Sequence, residues 1–312
     1  MTRLALPLLA ALALVPFLGT SDYFLHLGIT SLLMALSCTG WAMMGRFGLV
    51  SLGHGAFIGT AAYVMAMLWN DAGLSPWLGL PAGVLAAMAV AALLGYPCFR
   101  LRVIGHYFAL VTLAAGEIVR ILIIALRDHT GGSLGMTPRL VPPEASFAAM
   151  QFSKQGFWWM ALAFWAFGLL VWWWLDRSMS SKALAAINED EDAAASIGIQ
   201  VTREKMMVTV ISAGLAAMGG ALGAQYRLYL NPESLAGIGI SLQITFGAIA
   251  GGMFSMLGPT IGAFFTIALE EILRVMFGTA FIGGAPLVYG VLLVLFILFL
   301  PRGIVGWFDR KR

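Results

Sequence analysis

Charged side chains embedded in apolar runs are the groups of this chain whose types and spacing could do chemistry. Glu117 and Arg120 stand three residues apart, and Glu270, Glu271 and Arg274 stand three and four apart, in otherwise apolar stretches. On a helix those spacings bring opposite charges onto one face. In hydrocarbon each such group costs at least about 2.5–3.5 kcal/mol on insertion scales, so it needs a partner or a purpose. One reading is a self-neutralised pair turned into a helix bundle. The other is the wall of a polar path: a solute carrying both charges needs one anionic and one cationic contact, and Glu117 with Arg120 offers both. His54 sits among Gly53, Gly55 and Gly59, where a helix-packing role stands against that of a ligand or proton relay. No second His or Cys lies near enough in sequence to suggest a metal. Cys38 and Cys98, the two cysteines, offer neither metal spacing nor a disulfide framework. No Ser/His/Asp, Cys/His or metal-ligand constellation lies near either surface. A Gly-x-x-x-x-Gly-Lys-Ser/Thr phosphate loop is absent from the sequence. An enzyme is therefore disfavoured, and any nucleotide used must bind other subunits.

The elements that carry these charges are set by composition. Of 312 residues, 60% are hydrophobic and only 11% charged, with mean hydropathy +0.90. Soluble domains carry about 25% charged residues, so the solvent of this chain is largely lipid. The net charge of +3 gives no indication of nucleic-acid binding. Apolar runs of about 17–25 residues predict ten spans, near 4–19, 27–44, 50–69, 78–98, 106–126, 157–175, 206–228, 240–256, 258–277 and 286–300. The first run holds Pro7 and Pro16 and is expected to be a retained helix, with a cleaved signal peptide as the alternative. The expectation is one transmembrane domain over 1–312, an all-α polytopic membrane protein. Tryptophans 158, 159, 172, 173 and 174 mark the two ends of one span, as an interfacial belt does.

Orientation follows from Lys and Arg in the short loops. With the N-terminus inside, Arg3, Arg46, Arg100, Arg102, Arg177, Lys182, Arg203, Lys205, Arg302, Arg310, Lys311 and Arg312 are cytoplasmic. Arg127, Arg139, Lys154 and, at a membrane edge, Arg227 face outward, while Arg120 and Arg274 lie within spans. Both termini are then cytoplasmic if ten is the count. Two connections are long: about 127–156 outside, and about 176–205 inside.

The inside segment is polar and patterned. Ser180 or Ser181 can cap a helix beginning near Lys182, and Ala183, Leu184, Ala186 and Ile187 form an apolar stripe at helical spacing. A second short helix follows the acidic turn, and Gly198 is a natural C-terminal stop. A plain connector is commonly two to eight residues; a long amphipathic hairpin is suited to docking in another protein's groove.

Asp192-Ala193-Ala194-x-x-x-Gly198 is similar to the Glu-Ala-Ala-x-x-x-Gly signature by which ABC importer permeases contact their ATPases, departing from it by Asp for Glu. Further stretches resemble the LivM-type permeases of branched-chain amino acid ABC importers. They are Gly48-Leu49-Val50-Ser51-Leu52-Gly53-His54-Gly55-Ala56-Phe57 with Tyr63, Arg100-Leu101-Arg102, and Tyr107-Phe108-Ala109-Leu110-Val111-Thr112-Leu113-Ala114 with Glu117 and Arg120. Thr130-Gly131-Gly132-Ser133-x-Gly135, Ala185-Ala186-Ile187-Asn188-Glu189-Asp190-Glu191 (with Asn188 where Arg is expected), Asn231-Pro232-Glu233-Ser234, Gly251-Gly252, Gly258-Pro259 and Leu300-Pro301-Arg302-Gly303 continue the pattern in order.

The resemblance implies a type II ABC importer permease fold of about ten transmembrane helices in the bacterial inner membrane. It implies alternating access driven by two ABC ATPase subunits that hold ATP and Mg, a second homologous permease, and a periplasmic solute-binding protein, with no cofactor in this chain. It implies ATPase coupling through Ala186, Ile187, Glu189, Glu191, Asp192, Ala193, Ala194 and Gly198. A substrate path is expected to draw on Ser51, His54, Phe57, Tyr107, Thr112, Glu117 and Arg120. The solute the resemblance implies is a branched-chain or related small amino acid. Urea, short amides or aromatic acids are the alternatives, and a stand-alone secondary transporter or channel is the alternative of another class.

Overall fold

The computed structural model describes residues 2–18, 21–277 and 303–309, with isolated positions between 288 and 299. The described residues are helical apart from turns, loops and one isolated bridge between Met136 and Leu230. In chain order the helices are α1 (Thr2–Leu14), α2 (Asp22–Gly45), α3 (His54–Asn70), α4 (Pro76–Arg100), α5 (Gly105–Ala125), α6 (Arg127–Thr130) and α7 (Lys154–Arg177). There follow α8 (Met179–Glu189), α9 (Glu191–Ser196), α10 (Val201–Arg227), α11 (Pro232–Ala236), α12 (Ile238–Gly251) and α13 (Gly258–Phe277), and a short helix Gly303–Asp309. Among the described residues six helical stretches are long and apolar enough to cross a membrane: α2, α4, α5, α7, α10 and the α11–α12 run Pro232–Gly251. The chain is a multi-pass membrane protein.

Helices overlie nine of the ten apolar runs, and the run 286–300 lies largely outside the described residues, as do Arg302, Arg310, Lys311 and Arg312. Three boundaries differ from expectation for local reasons. The third run starts at His54 rather than residue 50, because Gly48 takes φ +78° and residues 46–53 leave the helix. The eighth ends at Gly251, where Gly252 turns with φ +112°. The first helix has 13 residues, which at 1.5 Å per residue reach about 20 Å against a hydrocarbon core of about 30 Å.

Helix α2 is the centre, packed by α7, α10, α12 and α13, and 89% of its most apolar stretch is buried against 28% for α5. Its small residues explain that position. A β-carbon at Gly40 would lie 2.8 Å from the Ser212 carbonyl oxygen and 2.9 Å from the Ala216 nitrogen of α10, and the Ser37 hydroxyl donates to the Ala216 carbonyl at 3.1 Å. With no hydrophobic force between helices in lipid, such backbone approach and polar bonding are what hold a bundle. At one end of the bundle Lys154 pairs with Asp22 at 3.2 Å. At the other, Arg46 pairs with Asp176 at 2.9 Å and stacks on Trp172 at 4.3 Å; the α8–α9 hairpin lies at this second end.

Candidate functional site

The break between α2 and α3 is built by polar residues reaching across the bundle. The Trp41 indole donates to the Ser51 carbonyl at 2.7 Å, and the Leu52 amide donates to the Thr112 hydroxyl of α5 at 3.1 Å. Gly55 donates its amide to the Ser241 hydroxyl of α12 at 2.8 Å. His54 is fully buried, with Nε2 3.0 Å from the Ser212 hydroxyl of α10 and Phe57 edge-on at 5.4 Å. These bonds replace the helical ones that Gly48 forfeits, which is what non-helical backbone at membrane depth requires. Ser51, His54, Phe57 and Thr112 are thus brought together, and the cavity that Ser51, Phe57 and Thr112 share is about 10 Å³, room for one water at most. In this conformation the cluster is packing.

The α8–α9 hairpin is held onto the bundle from three sides. Leu184, Ile187 and Ala194 are buried. Glu191 meets Lys205 of α10 at 2.5 Å, with the lysine side chain 6% exposed, and Asp192 meets Arg102 at 2.8 Å on the surface. The caps differ from expectation: Ser178, not Ser180 or Ser181, caps α8 by accepting from the Ser181 amide at 3.3 Å. The stop before α9 is Asp190, which accepts from the Asp192 and Ala193 amides at 2.9 Å each. Gly198 ends α9 with φ +90° and open space around it, so its lack of a side chain serves backbone conformation rather than packing within the chain. Of the eight residues expected to couple, Ile187, Glu191 and Ala194 anchor the hairpin, Ala186 is half-buried, and Glu189, Asp192, Ala193 and Gly198 are exposed. Met179 and Ile197 add apolar surface, 74% and 76% exposed. Beside α9 opens a groove of about 490 Å³ lined by Arg100, Arg102 and Arg203.

The charged group on α5 stands apart from the His54 cluster. Both Glu117 oxygens accept from Arg120 Nε, at 3.1 and 3.0 Å, and Arg120 also donates to Glu233 of α11 at 3.1 Å. Instead of turning into the bundle, the pair is partly exposed, Arg120 23% and Glu117 37%, and it pins the Asn231-capped helix α11 to α5. Tyr107, on the same helix, is 74% exposed. The cluster expected at 270–274 divides: Arg274 binds Glu271, while Glu270 accepts from Gln243 at 2.8 Å.

Sequence reading finds the i, i+3 pairs and misses the partners that are distant in sequence: Asp176 for Arg46, Glu233 for Arg120, Ser212 for His54 and Lys205 for Glu191. Lone polar residues in α10 and α12, such as Ser212 and Ser241, were the available signal, and nothing in their spacing names the partner.

Residues 21–300 match the profile of the family described as branched-chain amino acid transport system, permease component. The chain is 31% identical over 287 residues to the high-affinity branched-chain amino acid transport system permease protein LivM of Salmonella typhimurium strain LT2, covering 84% of this chain and 65% of that protein. It therefore spans under two thirds of the length of that relative. It is 26% identical over 289 residues to the corresponding LivH protein of Escherichia coli K12, covering 87% of this chain and 91% of LivH. Similarity extends to the inner membrane ABC transporter permease protein YjfF of the same strain, 22% identical over 89% of this chain and 83% of YjfF.

Proposed function

The chain belongs to the permease components of branched-chain amino acid transport systems, and from that premise we propose that it is the membrane subunit of an ATP-driven importer moving branched-chain amino acids across the bacterial inner membrane. The observation that carries the proposal is the α8–α9 hairpin, a pair of short capped helices set between the long helices α7 and α10 and anchored from within. Its outward face mixes Glu189, Asp192 and Ala193 with the apolar Met179 and Ile197, a surface suited to a partner's groove. The partners are two ABC ATPases holding ATP and Mg, a second homologous permease and a periplasmic binding protein. No catalysis is assigned to this chain.

In this reading the fold is that of a type II importer permease with ten spans, forming one domain over residues 1–312. The hairpin segment 176–205 and both termini are cytoplasmic, and residues 127–156 are external. Coupling runs through the exposed residues Glu189, Asp192, Ala193 and Gly198, with Ala186, Ile187, Glu191 and Ala194 as their support. Tyr107, Glu117 and Arg120 on α5 line the substrate path where the second permease faces this helix. Ser51, His54, Phe57 and Thr112 hold the α2–α3 break behind α5, and the path opens and closes as that break moves with the hairpin.

The test is co-reconstitution with ABC ATPases and a periplasmic binding protein from the same organism, measuring solute-stimulated ATP hydrolysis and uptake. Leucine, isoleucine or valine is expected to stimulate both, and urea, short amides and aromatic acids are the competing solutes to run alongside. Uptake that proceeds without ATP or ATPases would instead identify a stand-alone transporter.

A further inference from the structure

The groove of about 490 Å³ beside α9 is walled by the end of α4 and the start of α10, and it gathers Arg100, Arg102 and Arg203 around one space. Arg102 is held by Asp192 at 2.8 Å, and Glu191, the one carboxylate of the lining, is held by Lys205 at 2.5 Å. Arg100 and Arg203 are left without an ionic partner among the described residues. The N-terminus of α10 at the same wall receives no side-chain cap from Gln200, and the positive end of a helix favours an anion. A single arginine at a membrane edge reaches into water and needs no ligand. Here three of them converge on one concave space with no carboxylate free to answer them.

The groove also has an apolar approach. Leu78, Leu85, Leu93 and Tyr96 are exposed on α4, their spacing keeps them on one face of the helix, and Arg100 ends the stripe one turn after Tyr96. Only 33% of the most apolar stretch of α4 is buried, so in a bilayer this face meets acyl chains. Tyr96 belongs to the stripe and to the groove lining alike. A molecule lying along α4 therefore sets hydrocarbon on leucines, its interfacial region at a tyrosine and its head among guanidiniums. The guanidinium fork matches phosphate oxygens, and basic pockets at the ends of membrane helices hold anionic lipid headgroups. The volume falls within the roughly 300–1,000 Å³ of small-molecule sites, room for a phosphodiester and its glycerol.

We propose that this groove is a binding site for an anionic phospholipid, its phosphodiester held by Arg100 and Arg203 and its acyl chains laid along Leu93 and Leu85. The site stands on the multi-pass character of the chain and does not depend on which solute is carried. Arg102 links it to the hairpin, because the phosphate and Asp192 compete for the same guanidinium. A soluble phosphodiester presents the same head, and an acidic protein surface the same charge; both are outcomes of the test.

The full-length chain is purified in a non-ionic detergent, and lipid adducts are followed by native mass spectrometry as phosphatidylglycerol or phosphatidylcholine is titrated in. One phosphatidylglycerol should bind more than about tenfold tighter than phosphatidylcholine, each arginine near the surface contributing about fivefold. Arg100→Gln and Arg203→Gln should each weaken it about fivefold at unchanged size-exclusion behaviour, and the Lys variants less. Asp192→Asn, which frees Arg102, should tighten it. Arg177→Gln removes a charge from the last turn of α7, outside the groove, and should leave binding unchanged. Equal affinity for the two lipids, an equal loss in Arg177→Gln, or no loss in either groove variant overturns the site. Competition by glycerophosphoglycerol, the deacylated head, as effective as by the intact lipid assigns the groove to a soluble phosphodiester and overturns the lipid. Co-purification of ABC ATPases is measured on the same variants. If Arg100→Gln and Arg203→Gln shed the ATPases yet bind phosphatidylglycerol like wild type, the groove is a protein-docking surface and the proposal falls.

Discussion

Asn188, near the end of α8, rests its side-chain oxygen against Gly48, so closely that a β-carbon at Gly48 would collide with it. Gly48 opens the break between α2 and α3 with φ +78°, and four residues later that break bonds to Thr112 of α5. Hairpin, break and α5 are therefore joined by direct contacts, and displacement of the hairpin has a physical route to the helix that carries Tyr107 and Glu117.

Gly48→Ala tests that route. The alanine takes a left-handed conformation at a cost of about 1–2 kcal/mol and must push Asn188 away. The protein is expected to insert at near-normal abundance and to retain its ATPases on co-purification. Solute-stimulated ATP hydrolysis should drop about tenfold, the equivalent of 1.4 kcal/mol. Unchanged stimulation would show that the contact transmits nothing.

Glu191→Gln removes the counter-charge of Lys205, whose side chain is 6% exposed. Stranding a nearly buried ammonium costs of order 3 kcal/mol, enough to lift α9 off α10. Hydrogen exchange of residues 190–198 should accelerate and less ATPase should co-purify, while the exposed pair of Asp192 with Arg102 should matter little, at about 0–1 kcal/mol. Equal effects of Glu191→Gln and Asp192→Asn would contradict that ranking.

Glu117→Gln is expected to be well tolerated in abundance, because Glu233 remains on Arg120 at 3.1 Å. The double variant Glu117→Gln with Glu233→Gln leaves Arg120 without a carboxylate in a membrane helix, and expression should fall clearly below either single variant. Solute profile read beside abundance separates assembly from selectivity.

Topology is testable without removing native cysteines, since Cys38 and Cys98 are both buried. In intact cells an impermeant thiol reagent should label Glu144→Cys and spare Lys182→Cys until the membrane is permeabilised. Labelling of residue 182 from outside would invert the proposed orientation.

Gly40→Val inserts an isopropyl group where α2 and α10 are in backbone contact, since even its β-carbon would lie 2.8 Å from the Ser212 carbonyl oxygen. Overpacking of this kind costs about 1–3 kcal/mol, and the melting temperature in detergent should fall without any change in hairpin exchange.

The sequence by itself determined the class of the protein and the positions of most helices. A chain with 11% charged residues has to satisfy its backbone internally in lipid, and apolar runs of spanning length leave only the helix. It determined the hairpin as well, because caps and stops such as Asp190 and Gly198 act within a few residues of themselves. Only the tertiary structure decided which polar groups meet. His54 and Ser212 are 158 residues apart, and Arg46 and Asp176 are 130, separations at which no periodicity carries information. It also decided how charges are shared: Glu117 and Arg120 neutralise each other with help from Glu233, 113 residues beyond Arg120. Local spacing governs what a helix does with its own side chains; the packing of helices against one another governs which distant polar groups meet.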